Sequence, residues 1–473
     1  MILYDIADTV ARRLEATQDA VEEYLFEPTI RLGVTGLSRA GKTVFITALV
    51  ANLLNRGRLP QLRAAQEGRI LGAFLQPQPD DDVPRFDYET HLAALRGTPP
   101  EWPGSTRTIS QLRLSLRIAP SGILSALRGP RTLHLDIVDY PGEWLLDLPL
   151  MDQSFAQWSQ TTLDRAAQPA RATYSADWQA AMADLDPADP LDEQTAKTLA
   201  DQFTGYLAAC RAAGLSDCAP GRFLMPGDLD GSPALTFAPL PPAAKARSGS
   251  LYRAFERRYE SYKRVVVKPF FRNHFARIDR QVVLVDALSA IHNGPQAVED
   301  MRQAMSDILQ SFRPGQNSWL APILGKRVER ILFAATKADH LHQDQHGKLA
   351  AIMDALVTDA RSRADHSGAN TAAMAIASLR STVEDTISHD GQKLGAVRGQ
   401  LMDRDKPALM YPGTLPTDPA HLLAPARDGN AAWLDQDFSV MRFAPPALSL
   451  APGDGPPHIR LDKALEFLIG DQL

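Results

Sequence analysis

The sequence predicts an α/β protein in which helices cover both faces of a doubly wound, mostly parallel sheet. Short apolar runs at residues 30–35, 282–285 and 331–334 are typical of strands buried on both faces. Each run is followed by a stretch with helical apolar spacing, at residues 44–54, 296–312 and 348–363. Repeated alternation of strand and helix favours a parallel sheet with helices on both sides.

The other elements follow from local patterns along the chain. Apolar spacing predicts a first helix within residues 6–25, and alternating residues predict consecutive strands at 111–118 and 132–138. Prolines and glycines are dense at 217–250, which predicts a loop. Prolines also predict short edge strands and irregular chain at 403–460, before a final helix. That helix is expected at residues 461–469.

Composition limits the classes of protein that fit. The 473 residues are 44% hydrophobic and 22% charged, which is typical of a folded globular chain. A net charge of −6 argues against a surface built for nucleic acid. We expect no membrane-spanning segment, because no apolar stretch is long enough. We also expect no secretion signal, because Asp5 and Asp8 lie where a signal peptide would carry positive charge. Cys210 and Cys218 are expected to be reduced thiols.

The first predicted strand ends in a glycine-rich segment with the pattern Gly-x4-Gly-Lys-Thr. In this pattern backbone N–H groups and a helix N-terminus bind phosphate oxygens, the lysine neutralises the terminal phosphates, and the threonine hydroxyl ligates Mg²⁺. The alternative is a chance match in an ordinary turn. We predict a P-loop NTPase that binds nucleotide through Gly36, Ser38, Arg39, Ala40, Gly41, Lys42, Thr43 and Val44.

A second motif, Asp-Tyr-Pro-Gly, ends the strand at 132–138. Asp139 at the strand tip is placed to hold Mg²⁺ through water, and the Gly142 N–H to reach a γ-phosphate. A turn with a capping aspartate has the same letters. Together with the first motif, the pattern favours a phosphate-sensing switch.

A third motif, Thr336-Lys337-Ala338-Asp339, follows the strand at 331–334. A carboxylate there can accept hydrogen bonds from guanine N1–H and the 2-amino group, and a lysine stem can lie against the base. Adenine lacks these donors and would leave a buried charge unpaired, so the motif favours GTP over ATP. The alternative is a helix N-cap.

Taken together, the motifs resemble the signature of translation-factor-type GTPases, and their details resemble the bacterial YcjX-like family of stress-associated P-loop GTPases. The resemblance spans nearly the whole chain and rests on the segments beginning at Gly36, Asp139, Phe223 and Thr336. It implies a GTP-binding and GTP-hydrolysing protein with GTP or GDP and Mg²⁺ as ligands, an extra helical subdomain and a role in stress. It also implies a protein partner, with an inner-membrane protein as one candidate. A cytoplasmic location is expected, with peripheral attachment to the inner membrane as the alternative.

The motifs are further apart than in a minimal GTPase, which predicts insertions. We expect residues 1–149 to hold an N-terminal helix and the first part of the GTPase core, and 150–280 to form a mainly helical insertion. Residues 281–390 would complete the core with the guanine-reading loops, and 391–473 would pack on it as an extension.

Several residue assignments depart from the usual pattern or leave alternatives. Glu143 stands where many GTPases place the glutamine that orients water, so it either turns away, which we favour, or acts as a base, and slow turnover is expected. Arg39 is either an arginine finger in cis or a solvent-exposed side chain. Thr108, or else Thr106, is the expected switch threonine and metal ligand. The last base-contacting loop is expected at Ala377 and Ser378, and the catalytic set is Lys42, Thr108, Gly142, Glu143 and Arg39.

Two further alternatives concern function. The missing glutamine and the large insertion also suit a nucleotide-gated binding module with negligible hydrolysis, whereas an ATP-using P-loop NTPase is disfavoured by Asp339. Aromatic residues repeat at helical spacing within a basic stretch, at Tyr252, Phe255, Tyr259 and Tyr262. We expect this stripe to face the core rather than a membrane or nucleic acid.

Overall fold

The computed structural model describes residues 27–37, 39–104, 108–120, 129–311, 328–366, 369–389, 391–402, 406–428, 434, 438–448, 450–451 and 453–473. The helix predicted within residues 6–25 lies outside these residues. Among the described residues, no helix is both long and apolar enough to cross a membrane. Both cysteines are buried free thiols, as expected.

A seven-stranded, mostly parallel sheet forms the centre of the molecule, in the order β2-β3-β4-β1-β5-β6-β7. Its strands are β1 (Thr29–Gly36), β2 (Ile70–Gln76), β3 (Ser110–Ile118), β4 (Arg131–Asp139), β5 (Arg280–Val285), β6 (Arg330–Ala335) and β7 (Asn370–Ala375). From β4 to β7 neighbouring strands are parallel, and β2 and β3 form an antiparallel edge. The predicted parallel sheet and its strands are confirmed.

Helices pack on both faces of this sheet. Along the chain they are α1 (Lys42–Asn55), α2 (Arg63–Gln66), α3 (Tyr88–Arg96), α4 (Phe155–Ala166), α5 (Pro169–Ala183), α6 (Glu193–Ala212), α7 (Gly221–Leu224), α8 (Leu251–Tyr262), α9 (Lys268–Asn273), α10 (Ala287–His292), α11 (Pro295–Ser311), α12 (His346–His366), α13 (Ala420–Arg427) and α14 (Leu461–Ile469). Within β5, Val282 and Leu284 join one apolar cluster while Val283 and Val285 join the other. Because alternate side chains of a strand point to opposite faces, this explains the continuous apolar runs in the sequence.

Helices α4 to α9 lie between β4 and β5, where the sequence predicts an insertion. The aromatic stripe of α8 is buried, with Phe255, Tyr259 and Tyr262 fully inaccessible to solvent. Tyr259 donates a hydrogen bond to the Leu150 carbonyl at 3.0 Å. The stripe is therefore core, as expected, and its apolar cluster continues to the adjacent face of the sheet. A buried ion pair between Arg171 of α5 and Asp300 of α11 also joins the insertion to that face.

The C-terminal part contains a second, antiparallel sheet in the order β10-β9-β8. Its strands are β8 (Thr382–His389), β9 (Gln392–Gln400) and β10 (Pro407–Met410). Helix α14 has the predicted bounds and buries Leu461, Leu465 and Leu468 on the face of the large sheet that also carries α1. Between 403 and 460 the described residues contain the predicted short strand and irregular chain, but also helix α13, which was not predicted. Strand β2 and the β8–β9 hairpin were not predicted either.

Candidate functional site

A cavity of about 430 Å³ opens where β1, β5, β6 and β7 end. Carboxyl ends of parallel strands meet at one edge of a sheet, so loops far apart in sequence converge there. The phosphate-binding loop contributes Arg39, Ala40, Gly41, Lys42, Thr43 and Val44 to the cavity wall. The two loops predicted to contact the base contribute Thr336, Lys337, Asp339, Ala377 and Ser378. Ser38 lies outside the described residues.

The phosphate-binding loop depends on its glycines for its shape. Gly41 has φ +81° at the N-terminus of α1, a conformation that favours glycine. The Lys42 ammonium donates to the Gly36 carbonyl at 3.3 Å, and the Thr43 hydroxyl donates to the Gly104 carbonyl at 3.4 Å. The helix N-terminus, Lys42 and the exposed Arg39 together make this end of the cavity favourable for anions.

The second motif lies beside the phosphate-binding loop because β4 pairs with β1. A Cβ atom on Gly142 would come within 2.4 Å of the Gly36 carbonyl oxygen, so only glycine fits there. Asp139 is fully buried and pairs in register with Val34 of β1. Neither Asp139 nor Gly142 is among the residues that line the cavity.

Two other predicted residues lie away from the cavity. Thr108 lines a different cleft, next to Trp144 and Arg222, and Thr106 lies outside the described residues. Glu143 is 4% exposed, and its carboxylate lies 3.1 Å from the Arg211 guanidinium of α6. Its side chain therefore points into the insertion, which is the arrangement favoured from the sequence.

The segment that follows Gly142 is fastened to the insertion. The Asp147 carboxylate accepts hydrogen bonds from the Tyr262 hydroxyl and the Gly221 N–H, both at 2.6 Å. Burial raises the pKa of Asp147 to about 6, and these hydrogen bonds oppose the rise. The Trp144 indole N–H donates to the Met225 carbonyl at 3.1 Å. Movement of this segment would therefore change its contacts with the insertion.

At the other end of the cavity, hydrogen bonds position the carboxylate of Asp339. Its Oδ2 atom accepts from the Ser381 N–H at 2.8 Å and from the Ser381 hydroxyl at 2.7 Å. Lys337 has φ +60° and forms an ion pair with Asp286, which also caps α10 through Ser289. Backbone hydrogen bonds of 3.0 and 2.8 Å join Ala377 to Ile459. The remaining carboxylate oxygen of Asp339 accepts no hydrogen bond from the described residues.

Sequence reasoning missed several residues at the cavity, among them Asp286, Ser381, Trp102 and Phe443. Asp286 comes directly after the apolar run 282–285, the same strand-end signal that identified Asp139. Ser381, Trp102 and Phe443 also line the cavity. Ser381, Trp102 and Phe443 belong to no sequence motif, because their positions at the cavity depend on contacts between distant parts of the chain.

Comparison with known proteins gives a consistent result. The model of the YcjX-like family, DUF463, matches residues 30–473. A protein named Ras-like GTPase YcjX from Escherichia coli strain K12 is 41% identical over 475 residues, covering 98% of this chain and 100% of that protein. Another of the same name, from Shewanella oneidensis strain MR-1, is 38% identical over 467 residues, covering 94% of each chain.

Proposed function

This chain belongs to the YcjX-like family, and we propose that it is a Mg²⁺-dependent GTPase of the translation-factor type. The observation that carries the proposal is that Lys42 and Asp339 line one cavity. In this proposal Lys42 binds phosphate and Asp339 binds the guanine base within the same cavity. The order of the motifs after β1, β4 and β6 supports the subclass.

In this proposal the ligand-binding residues come from the three motifs and from the loop at 377–378. Residues 36–44, including Ser38, hold the phosphates, and Thr336, Lys337, Asp339, Ala377 and Ser378 hold the base. The Thr43 hydroxyl and the Asp139 carboxylate are oxygen donors of the kind Mg²⁺ prefers, whereas Thr108 lines a different cleft and stays only a sequence prediction as a metal ligand. Mg²⁺ would neutralise charge on the phosphates, while Lys42, Arg39 and the Gly142 N–H stabilise charge that develops at the γ-phosphate.

We propose that the nucleotide state is transmitted to the insertion. Contacts of Glu143, Trp144 and Asp147 with residues of the insertion support this coupling. We propose that residues 150–280 form a partner-binding unit, between core segments 1–149 and 281–390, and that 391–473 pack on the core. A role in stress and a location in the cytoplasm, including the periphery of the inner membrane, belong to the same proposal.

A titration with GDP, GTP, ADP and ATP in the presence of Mg²⁺ tests the proposal, with phosphate release followed in the same samples. We expect guanine nucleotides to bind at least about 100-fold more tightly than adenine nucleotides, because adenine would leave Asp339 unpaired. Slow release of phosphate from GTP is expected. Equal binding of ATP and GTP would contradict the guanine assignment.

A second candidate function is a nucleotide-gated binding module with negligible hydrolysis. The pairing of Glu143 with Arg211 favours it. Many GTPases place a glutamine that orients the attacking water at the position of Glu143, and here that side chain does not line the cavity. GTP binding without measurable phosphate release, with the insertion changing its protection from hydrogen exchange between GDP and GTP, would support this candidate over the enzyme.

Paired variants distinguish two roles of Glu143, as a structural partner of Arg211 or as a catalytic base. If Glu143 mainly pairs with Arg211, Glu143→Gln and Arg211→Gln should each lower the free energy of unfolding by about 1–3 kcal/mol, since either change removes the charge-assisted contact between these two partly buried side chains. Both should change GTP hydrolysis less than about threefold. Denaturant unfolding and phosphate release measure the two effects. A large loss of hydrolysis in Glu143→Gln alone would instead identify a base.

A further inference from the structure

The C-terminal extension supplies part of the wall of the nucleotide cavity. Residues 440–443 and Met402 line the same cavity as Lys42 and Asp339, although they belong to none of the three motifs. Trp102 and Pro103, which lie much earlier in the sequence, line this cavity as well. Two segments that are over 300 residues apart therefore meet at the cavity.

The C-terminal segment is held firmly by the small sheet. The Met402 N–H donates to the Arg442 carbonyl at 3.0 Å, and the Ala444 N–H donates to the Gln400 carbonyl at 2.8 Å. The Phe443 ring is 2% exposed and meets the ring of His340 edge-on, with centroids 5.1 Å apart. His340 directly follows Asp339 in the guanine-reading loop. The segment is thus fixed next to the end of the cavity that would hold the base.

Trp102 connects this segment to the phosphate end. Its indole N–H donates to the Phe443 carbonyl at 2.8 Å. Two residues later, the Gly104 carbonyl accepts the hydrogen bond from the Thr43 hydroxyl at the start of α1. Residues 102–104 are therefore attached at one end to the phosphate-binding helix and at the other to the C-terminal segment, along the wall of the cavity.

The segment also brings positive charge. The Arg442 side chain is exposed at the cavity and makes no ion pair with any residue that the structure describes. Arg39 is likewise exposed and without an ion pair to the described residues. By contrast, the negative charge of Asp286 is compensated by Lys337. An anionic ligand is the chemistry that this distribution of charge favours.

We propose that Trp102 and residues 440–443 form a latch at the nucleotide site, in which the hydrogen bond from Trp102 to Phe443 limits the rate of GDP release and Arg442 adds to GDP affinity. The proposal rests on the proposed function, since it takes a guanine nucleotide as the ligand. In this proposal GDP leaves when residues 102–104 separate from the C-terminal segment, which costs the Trp102 hydrogen bond.

The test compares full-length wild type with Trp102→Phe, which keeps an aromatic ring but deletes the N–H donor. Each protein is loaded with N-methylanthraniloyl-GDP and Mg²⁺, and release is followed by direct excitation of the label after addition of excess unlabelled GDP. Loss of one hydrogen bond predicts release about three- to tenfold faster. Trp178→Phe is the matched control, because the Trp178 indole N–H is buried in the insertion without a hydrogen-bond partner among the described residues.

The outcomes separate the latch from the proposed function. Failure of wild type to bind the labelled GDP contradicts the proposed function itself. Binding with equal release rates in wild type and Trp102→Phe overturns the latch and leaves the proposed function standing. If Trp102→Phe does not fold, as judged by thermal unfolding, Arg442→Gln decides. It should weaken GDP affinity about threefold or more at low salt, and unchanged affinity would overturn the proposal.

Discussion

Lys42→Ala is expected to weaken binding of GDP and GTP about 100-fold. The Lys42 ammonium lies in the phosphate-binding loop at the N-terminus of α1 and bonds only a backbone carbonyl, Gly36 O, in the described structure. A charge-assisted contact to phosphate contributes about 3 kcal/mol, which corresponds to roughly two orders of magnitude in affinity. Isothermal titration calorimetry with each nucleotide in the presence of Mg²⁺ measures the loss directly.

Lys245→Ala is the matched control for this change. Lys245 is exposed, lies in the loop before α8 and does not line the cavity, so its removal should leave affinity within twofold. Thermal unfolding of both variants checks that the fold is kept. Retention of wild-type affinity by Lys42→Ala would show that the loop does not hold phosphate, whatever the other motifs do.

The phosphate-binding loop could be predicted because its information is local. Glycines, a lysine and a hydroxyl at fixed spacing follow a buried strand, and glycine permits the positive φ at Gly41 without steric cost. The strands of the parallel sheet were predictable for a related reason. Strands buried on both faces favour continuous apolar runs, such as residues 282–285, and short runs of this kind bounded by charged residues are typical of such strands.

The elements that escaped prediction have weaker or interrupted patterns. Strand β2 contains Gly72 at a register shift, and bulges and glycines both dilute a strand pattern. In β9, Gly395 is required by a neighbour, since a Cβ atom there would lie 2.5 Å from the ring of His342. Strand β8 is mostly polar, and one of its two apolar residues, Val383, is exposed. These strands depend on tertiary partners that no local pattern shows.

The residues of the candidate site also divide into those that the sequence predicts and those that it does not. Lys42 and Asp339 could be found from motifs, whereas Ser381, Trp102 and Phe443 could not, because a hydrogen bond between an indole and a backbone carbonyl more than 300 residues away leaves no sequence signal. Glu143 is intermediate. Its position after Gly142 raised the question of its role, and only the placement of Arg211 on α6 shows which way its side chain turns.

Asp339→Asn is expected to lower guanine nucleotide affinity about 100-fold and to raise affinity for xanthosine nucleotides. In wild type, Ser381 donates both its hydrogen bonds to one oxygen of Asp339. An asparagine can keep its carbonyl oxygen on Ser381, which places its amino group where the other carboxylate oxygen was. That amino group opposes the N1–H and 2-amino donors of guanine but matches the 2-oxo acceptor of xanthine.

Asp344→Asn provides the control, because it is the same chemical change in the following turn, at a side chain that is 78% exposed. Its nucleotide preference should equal that of wild type. Titrations with GDP, xanthosine diphosphate and ADP distinguish the cases. A shift from guanine to xanthine in Asp339→Asn alone would establish Asp339 as the base-reading residue. If the preference does not change, residues 336–339 only begin a helical turn, and the proposal reduces to a P-loop NTPase whose base selectivity has another origin.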